Sequence, residues 1–170
     1  PLTLTELSYL LWCTQGVKMT MPGGTSIRTV PSAGARHALE TYLYIQRVEG
    51  LEPGLYRFLA LEHALLPVDL SAAAGESLVP AFSGRNMVAG SAVTFIWSAV
   101  LERMSYAYGP RAYRYLHLDA GHVCQNLYLA AQTVRVGVCA IGAFDDDGLN
   151  AALGFDGENQ FAVYAASAGK

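Results

Sequence analysis

The sequence is short of charge. Asp, Glu, Lys and Arg make up 15% of its 170 residues, while 52% are hydrophobic. That balance excludes a disordered chain and leaves ample apolar material for a core. The length is that of one domain, residues 1–170. A basic block is lacking and the net charge is −3, so nucleic acid is not an expected partner. No apolar run reaches the roughly 18 residues of a membrane-spanning helix. The richest, residues 92–101, has the length of a strand and contains Thr94, Trp97 and Ser98. Cysteine is scarce. Cys13, Cys124 and Cys139 form an odd, sparse set in apolar surroundings, which reads as reduced thiols in a cytoplasmic protein. The opening PLTLTELSYLLW has no basic n-region and is not read as a signal peptide. It also lacks an initiating Met, as expected of a processed product or an excised domain. Internal repeats and low-complexity linkers are absent. The seventeen glycines have no period and indicate many turns.

What is present is patterned. Thr3 and Glu6 fit a capping box, and Leu7, Leu10 and Leu11 then share one helical face, with Gly16 as the C-cap. A loop carrying Pro22-Gly23-Gly24 follows. Ser32 is expected to cap a short helix through Glu40. Residues 41–48, 55–59 and 63–68 read as strands, the first two separated by the Pro53-Gly54 turn. Asp69 or Ser71 is placed to start a helix in the Ala-rich stretch beyond. Residues 91–100 predict a central strand. Gly109-Pro110 opens the longest helix, whose apolar face is Tyr113, Leu116, Ala120, Val123, Leu127, Ala130 and Val134. Arg135 and Gly137 mark its end. Residues 138–144 read as a strand, Asp145 to Asp147 cap a helix through Leu153, and 160–168 form a final strand. The fold class is α+β.

Polar residues alone do not define an activity. His117 and His122 are five apart and point to different faces of a helix. Asp119 shares a face with His122, but two ligands are not a metal site, and a structural or hydrogen-bonding role is the simpler reading. Cys124 and His122 are too close on a helix to form a nucleophile pair. There is no G-x-S-x-G elbow, P-loop or G-x-G-x-x-G. A redox cofactor needs few titratable side chains, because it carries the chemistry itself. A flavin asks for a flat apolar slot and backbone donors at the ring edge. The small-residue turns Pro31-Ser32-Ala33-Gly34 and Ala140-Ile141-Gly142-Ala143-Phe144 suit that, though each alone also reads as a turn without a ligand.

Five segments in order resemble the nitroreductase superfamily, and within it the SagB-type dehydrogenase branch that includes azoline oxidases. They are LSYLLWCTQGV (7–17), RTVPSAGARHALETYL (28–43), VEGLEPGLYRF (48–58), YGPRAYRYLHLDAGHVCQNLYLAA (108–131) and VCAIGAFDDDGLNAALGFDG (138–157). The resemblance implies a mixed, largely antiparallel sheet flanked by helices, a homodimer, and FMN at the interface. It implies that Pro31, Ser32 and Ala33 approach the ring across the dimer. Ile141, Gly142 and Ala143 would line its other part, with a backbone N–H from Gly142 or Ala143 near the reactive nitrogen. The long helix would make dimer and core contacts.

Three departures qualify the resemblance. The family's Arg- and Ser-containing phosphate segment lies before the point where this chain starts, leaving Arg28 and Lys170 as candidate phosphate contacts by charge alone. Azoline oxidases carry a Lys-Tyr pair where this chain has Ala107-Tyr108, which weakens an azoline-oxidase assignment. The nitroreductase Asn after the Pro-Ser turn falls at about Ala35. Two functions follow. The first is an FMN-dependent oxidoreductase acting by ping-pong hydride transfer on a small-molecule or peptide substrate. NAD(P)H is a candidate donor and Tyr108 the candidate for substrate hydrogen bonding. The second is a non-catalytic, flavin-free family member serving as a dimerisation or scaffold domain.

Overall fold

A computed structural model describes residues 1–170, including every side chain except that of Arg85. The chain opens with helix α1 (Leu4–Gln15), which starts as its capping box requires. Thr3 Oγ1 accepts from the Glu6 N–H, and Glu6 accepts from the Thr3 N–H. A hairpin of β1 (Val17–Thr20) and β2 (Ser26–Arg28) follows. Then come β3 (Leu39–Ile45), β4 (Gly54–Leu59), β5 (Ala64–Asp69), α2 (Ala73–Leu78), α3 (Arg85–Gly90) and β6 (Val93–Val100). The chain ends with α4 (Leu101–Tyr108), α5 (Ala112–Thr133), β7 (Gly137–Ile141), α6 (Asp146–Leu153) and β8 (Gln160–Gly169).

Six strands form one sheet in the order β5-β4-β3-β6-β8-β7, and every neighbouring pair is antiparallel. The expected sheet is therefore present and wholly antiparallel; a parallel pairing occurs only as the isolated bridge Leu2–Val48. Strand β6 is central, as its apolar run predicts, and its alternation feeds two cores. Phe95 and Trp97 face α1 and α5, where Leu7, Leu10, Leu116, Val123 and Leu127 are buried. Ile96 faces the opposite layer, packed by Leu78, Phe82, Val88 and Leu149 from α2, α3, α6 and their connections. Helices thus cover both faces of the sheet.

Four sequence expectations change. No helix runs from Ser32 to Glu40. A single 3-10 turn (Ala33–Ala35) is followed directly by β3, because Gly34, Ala35 and His37 all take positive φ, which a right-handed helix forbids. The β1–β2 hairpin occupies part of the expected loop, its strands short and none of their residues fully buried. Helix α4 precedes Gly109, where no helix was expected. Gly109, with φ of +52°, ends it before a 3-10 turn leads into α5. Tyr113, assigned to the buried face of α5, is exposed. Among the described residues no helix is long and apolar enough to cross a membrane.

Candidate functional site

The sequence-derived site residues fall into two groups, both anchored on α5. The first is the 31–33 turn. Ser32 Oγ donates to Asp119 Oδ2 at 2.6 Å, and the Ala33 N–H donates to Asp119 Oδ1 at 3.2 Å. The His37 N–H closes the loop onto Ser32 Oγ at 2.9 Å. A buried carboxylate 87 positions away therefore holds the turn, and Asp119 is an anchor of the site, not a metal ligand. Tyr108 belongs to the same group. A Cβ on Gly34 would lie 2.7 Å from its hydroxyl, so only glycine admits this approach. The Tyr108 ring packs on Tyr115 at 4.4 Å between centroids. Non-glycine residues at positive φ, Ala35 and His37, concentrate strain beside the turn, as functional loops often do.

The second group is the 141–143 turn at the end of edge strand β7. The Tyr128 hydroxyl accepts from the Ala140 N–H at 2.8 Å. Beyond it the turn is pinned to the segment before α3. Ser83 donates to the Ala143 carbonyl at 3.0 Å, and Asp145 donates to that of Ala81 at 2.8 Å. Ile141 is buried, while Gly142 and Ala143 are exposed. The N–H groups of Gly142 and Ala143 have no acceptor among the described residues. A Cβ at Gly142 would meet only the Tyr164 ring, at an ordinary 3.8 Å. Space and unused donors thus coincide at one exposed turn.

The two phosphate candidates separate. Lys170 ion-pairs with Glu6 at the start of α1. Arg28 donates to Gln15 Oε1, at 3.0 Å, at the other end of that helix. Nine residues of helix, roughly 13 Å of rise, lie between the two partners. Lys170 instead follows β8. Gly169 pairs with Gly137 and Ala165 with Ile141, which puts Lys170 five to six strand positions, about 17–20 Å at ~3.4 Å per residue, from Ile141 and Gly142.

Neighbouring titratable groups do not supply a nucleophile. Burial pushes the Cys124 thiol up to about 11, and Cys139 is exposed rather than in apolar surroundings; all three cysteines are free. Burial, then the adjacent Cys124, raises Tyr164 above its ordinary range. No cluster of three or more His, Cys, Asp or Glu side chains is arranged to hold a metal among the described residues.

Comparison with known proteins identifies the fold and family. The profile of the nitroreductase family matches residues 1–170. A Methanocaldococcus jannaschii protein classed with the nitroreductases is 37% identical over 147 residues, covering 86% of this chain and 72% of its own length. The trifolitoxin-processing protein TfxB of Rhizobium leguminosarum bv. trifolii is 32% identical over 130 residues, covering 74% of this chain. A crystal structure from Anabaena variabilis, also classed with the nitroreductases, superposes with a TM-score of 0.88 at 30% identity and covers 96% of this chain. The chain spans about a third of the length of each of the last two, 35% and 34% respectively.

Proposed function

Because the chain belongs to the nitroreductase family, we propose that residues 1–170 form a single FMN-binding domain that transfers hydride to or from a small-molecule or peptide substrate. Its fold is that of the family's oxidoreductases. NAD(P)H is the proposed electron donor, the cytoplasm the proposed compartment, and the SagB-type branch the proposed placement. The likeness to the trifolitoxin-processing protein supports that branch and a peptide substrate.

One observation carries the reading: the exposed 141–143 turn holds two backbone donors without an acceptor among the described residues. The ring edge of FMN is placed at Gly142 and Ala143, and Lys170, ion-paired with Glu6, is the candidate by charge for its phosphate. Bound FMN would supply the hydride-accepting chemistry, which the side chains lack. The chain's own tasks are simpler. The Gly142 and Ala143 N–H groups hold the ring edge, and Ile141 closes the strand behind it. Tyr108 orients substrate from the neighbouring turn. Pro31, Ser32 and Ala33 are proposed to reach the ring of a second copy. Their anchor Asp119 stands nine residues from Tyr128, the anchor of the other turn, on α5, roughly 13 Å of helix rise.

The test is the absorbance spectrum of the purified protein before and after addition of FMN, with Gly142→Val alongside. The variant is expected to fold normally, since its Cβ meets only Tyr164 at 3.8 Å and the backbone there is not left-handed. FMN affinity should fall at least about tenfold, or 1.4 kcal/mol. Unchanged affinity would remove the 141–143 turn from the site. A wild-type protein that takes up no flavin would favour the scaffold reading.

A further inference from the structure

A cleft of about 530 Å³ opens between the β1–β2 hairpin, residues 35–37, the adjoining ends of β3 and β4, and the β4–β5 turn. Its charge runs against that of the whole chain. Four guanidinium groups line it, from Arg28, Arg36, Arg57 and Arg103, against the two carboxylates of Glu40 and Glu62. The chain as a whole carries −3.

The ion pairing is also uneven. Glu40 takes both Arg57, at 3.1 Å, and Arg103, at 2.6 Å. Arg28 and Arg36 have no carboxylate partner. Arg28 donates only to neutral oxygens, of Gln15 at 3.0 Å and Ser26 at 3.4 Å. Arg36 donates to the Arg103 carbonyl at 2.7 Å and lies over the Tyr106 ring at 5.3 Å. Burial pushes the Arg28 guanidinium below its ordinary value, Glu40 partly restores it and Arg103 lowers it again. Burial and Arg28 hold the His37 imidazole down to about 4, so His37 adds no charge near neutrality.

A second feature points the same way. Thr41, which also lines the cleft, is 2% exposed and its hydroxyl has no hydrogen-bond partner. A buried polar atom without a partner costs roughly 1–3 kcal/mol. Two guanidinium groups without a direct carboxylate contact in one concave polar space, with a buried unpartnered threonine among its lining residues, are what an anion with several oxygens would suit.

We propose that this cleft binds a small oxyanion, a phosphate or dicarboxylate group, held by Arg28 and Arg36 with Arg57 and Arg103 completing the positive rim. The site is separate from Lys170, and the inference does not rest on the flavin reading. The oxyanion supplies the direct ion pair that Glu40, already held by Arg57 and Arg103, does not make with Arg28 or Arg36.

The experiment is a thermal-shift and calorimetric titration of the purified protein with inorganic phosphate and, separately, malonate. Ionic strength is held constant with sodium chloride. Saturable stabilisation is expected for at least one of the two probes. Affinity should weaken at least about tenfold in Arg28→Gln and in Arg36→Gln, and stay unchanged in Arg111→Gln, which lies outside the cleft. Saturation by phosphate alone assigns a phosphate ligand, and saturation by malonate alone a carboxylate. If Arg28→Gln fails to fold, Arg36→Gln decides, because its guanidinium touches only a carbonyl and a ring. The proposal is overturned if neither probe saturates, or if binding survives Arg36→Gln. It is equally overturned if phosphate binding is abolished by Lys170→Gln alone.

Discussion

Replacing Asp119 tests most directly whether one carboxylate on α5 shapes the 31–33 turn. Asp119 is 4% exposed and accepts from Ser32 Oγ at 2.6 Å and from the Ala33 N–H at 3.2 Å. Hydrogen bonds to a charged group contribute about 1.5–3 kcal/mol each. Removing the carboxylate also removes the cost of keeping it from water, which offsets part of the loss. Asp119→Ala should therefore destabilise by about 2–4 kcal/mol. Asp119→Asn keeps an acceptor for the Ala33 N–H and leaves the Ser32 hydroxyl hydrogen unmatched, for a loss of about 1–2 kcal/mol. Urea unfolding at pH 7 measures both, and a double-mutant cycle with Ser32→Ala isolates the pair. A coupling of about 1–2 kcal/mol is expected; effects that add to within roughly 0.5 kcal/mol would refute the anchor. Limited proteolysis supplies an independent reading. Gly34, Ala35 and His37 keep positive φ only while the turn is held, so cleavage near residues 33–37 should rise in Asp119→Ala.

Three further outcomes are expected. His37 is buried, and its folded-state value near 4 lies below the ordinary 6.5. The unfolded chain therefore binds the extra proton first. Stability is full above about pH 6.5 and falls as pH drops toward 4, by on the order of 2–3 kcal/mol. Unfolding curves across that window should flatten in His37→Asn, which tolerates the positive φ; an unchanged slope rejects the assignment. Thr41→Val removes the orphan hydroxyl at nearly constant shape. It should raise stability by about 1 kcal/mol by thermal melt, and a loss would mean that the hydroxyl has a partner. Leu118 and Leu129 are 53% and 60% exposed and eleven residues apart, which aligns them within about 20° on α5. Light scattering should give a dimer at micromolar concentration, and Leu129→Glu should shift it toward monomer; a monomeric wild type would reject the shared site.

The elements that could be read from sequence are those whose cause is local. Thr3 and Glu6 cap α1 because both partners lie within one turn. The central position of β6 follows from a run in which every residue but the last is buried, since two covered faces demand apolar side chains on both. The segment after Ser32 was misread for a tertiary reason. Its hydroxyl looks like a helix cap, but it is committed to Asp119 across 87 residues, and the backbone then turns left-handed. The β1–β2 hairpin escaped because strands of four and three residues, none of them fully buried, have no alternation to detect. Helix α4 was hidden by Gly109-Pro110, which ends one helix and opens the next. For the site, Pro31, Ser32, Ala33 and Tyr108 are brought together as one group, and Ile141, Gly142 and Ala143 as another. The arginine cleft escaped because Arg28, Arg36, Arg57 and Arg103 are scattered through the sequence and meet only when the strand ends converge.

Helix α5 explains why the two turns can be rigid yet incomplete in one chain. Its buried stripe, from Leu116 through Ala120 and Val123 to Leu127, fixes the helix against the sheet. The side chains flanking that stripe then reach in defined directions. Asp119 catches a loop arriving before β3, and Tyr128 catches the first residues of β7's end. The first turn is tied to the helix through the Ser32 hydroxyl and the Ala33 N–H, the second through the Ala140 N–H, which leaves the N–H groups of Gly142 and Ala143 without an acceptor among the described residues. The spacing is set by covalent geometry, nine residues at 1.5 Å, or roughly 13 Å, and no side-chain substitution alters it. On the proposed flavin reading, one of the two turns is supplied by a second chain. The exposed leucines on α5 are where that chain is expected to pack, since burying each contributes about 1.5–3 kcal/mol and an isologous pair doubles it. On that reading dimerisation and completion of the proposed flavin site are one event, and Leu129→Glu should lower FMN affinity even though it touches neither turn.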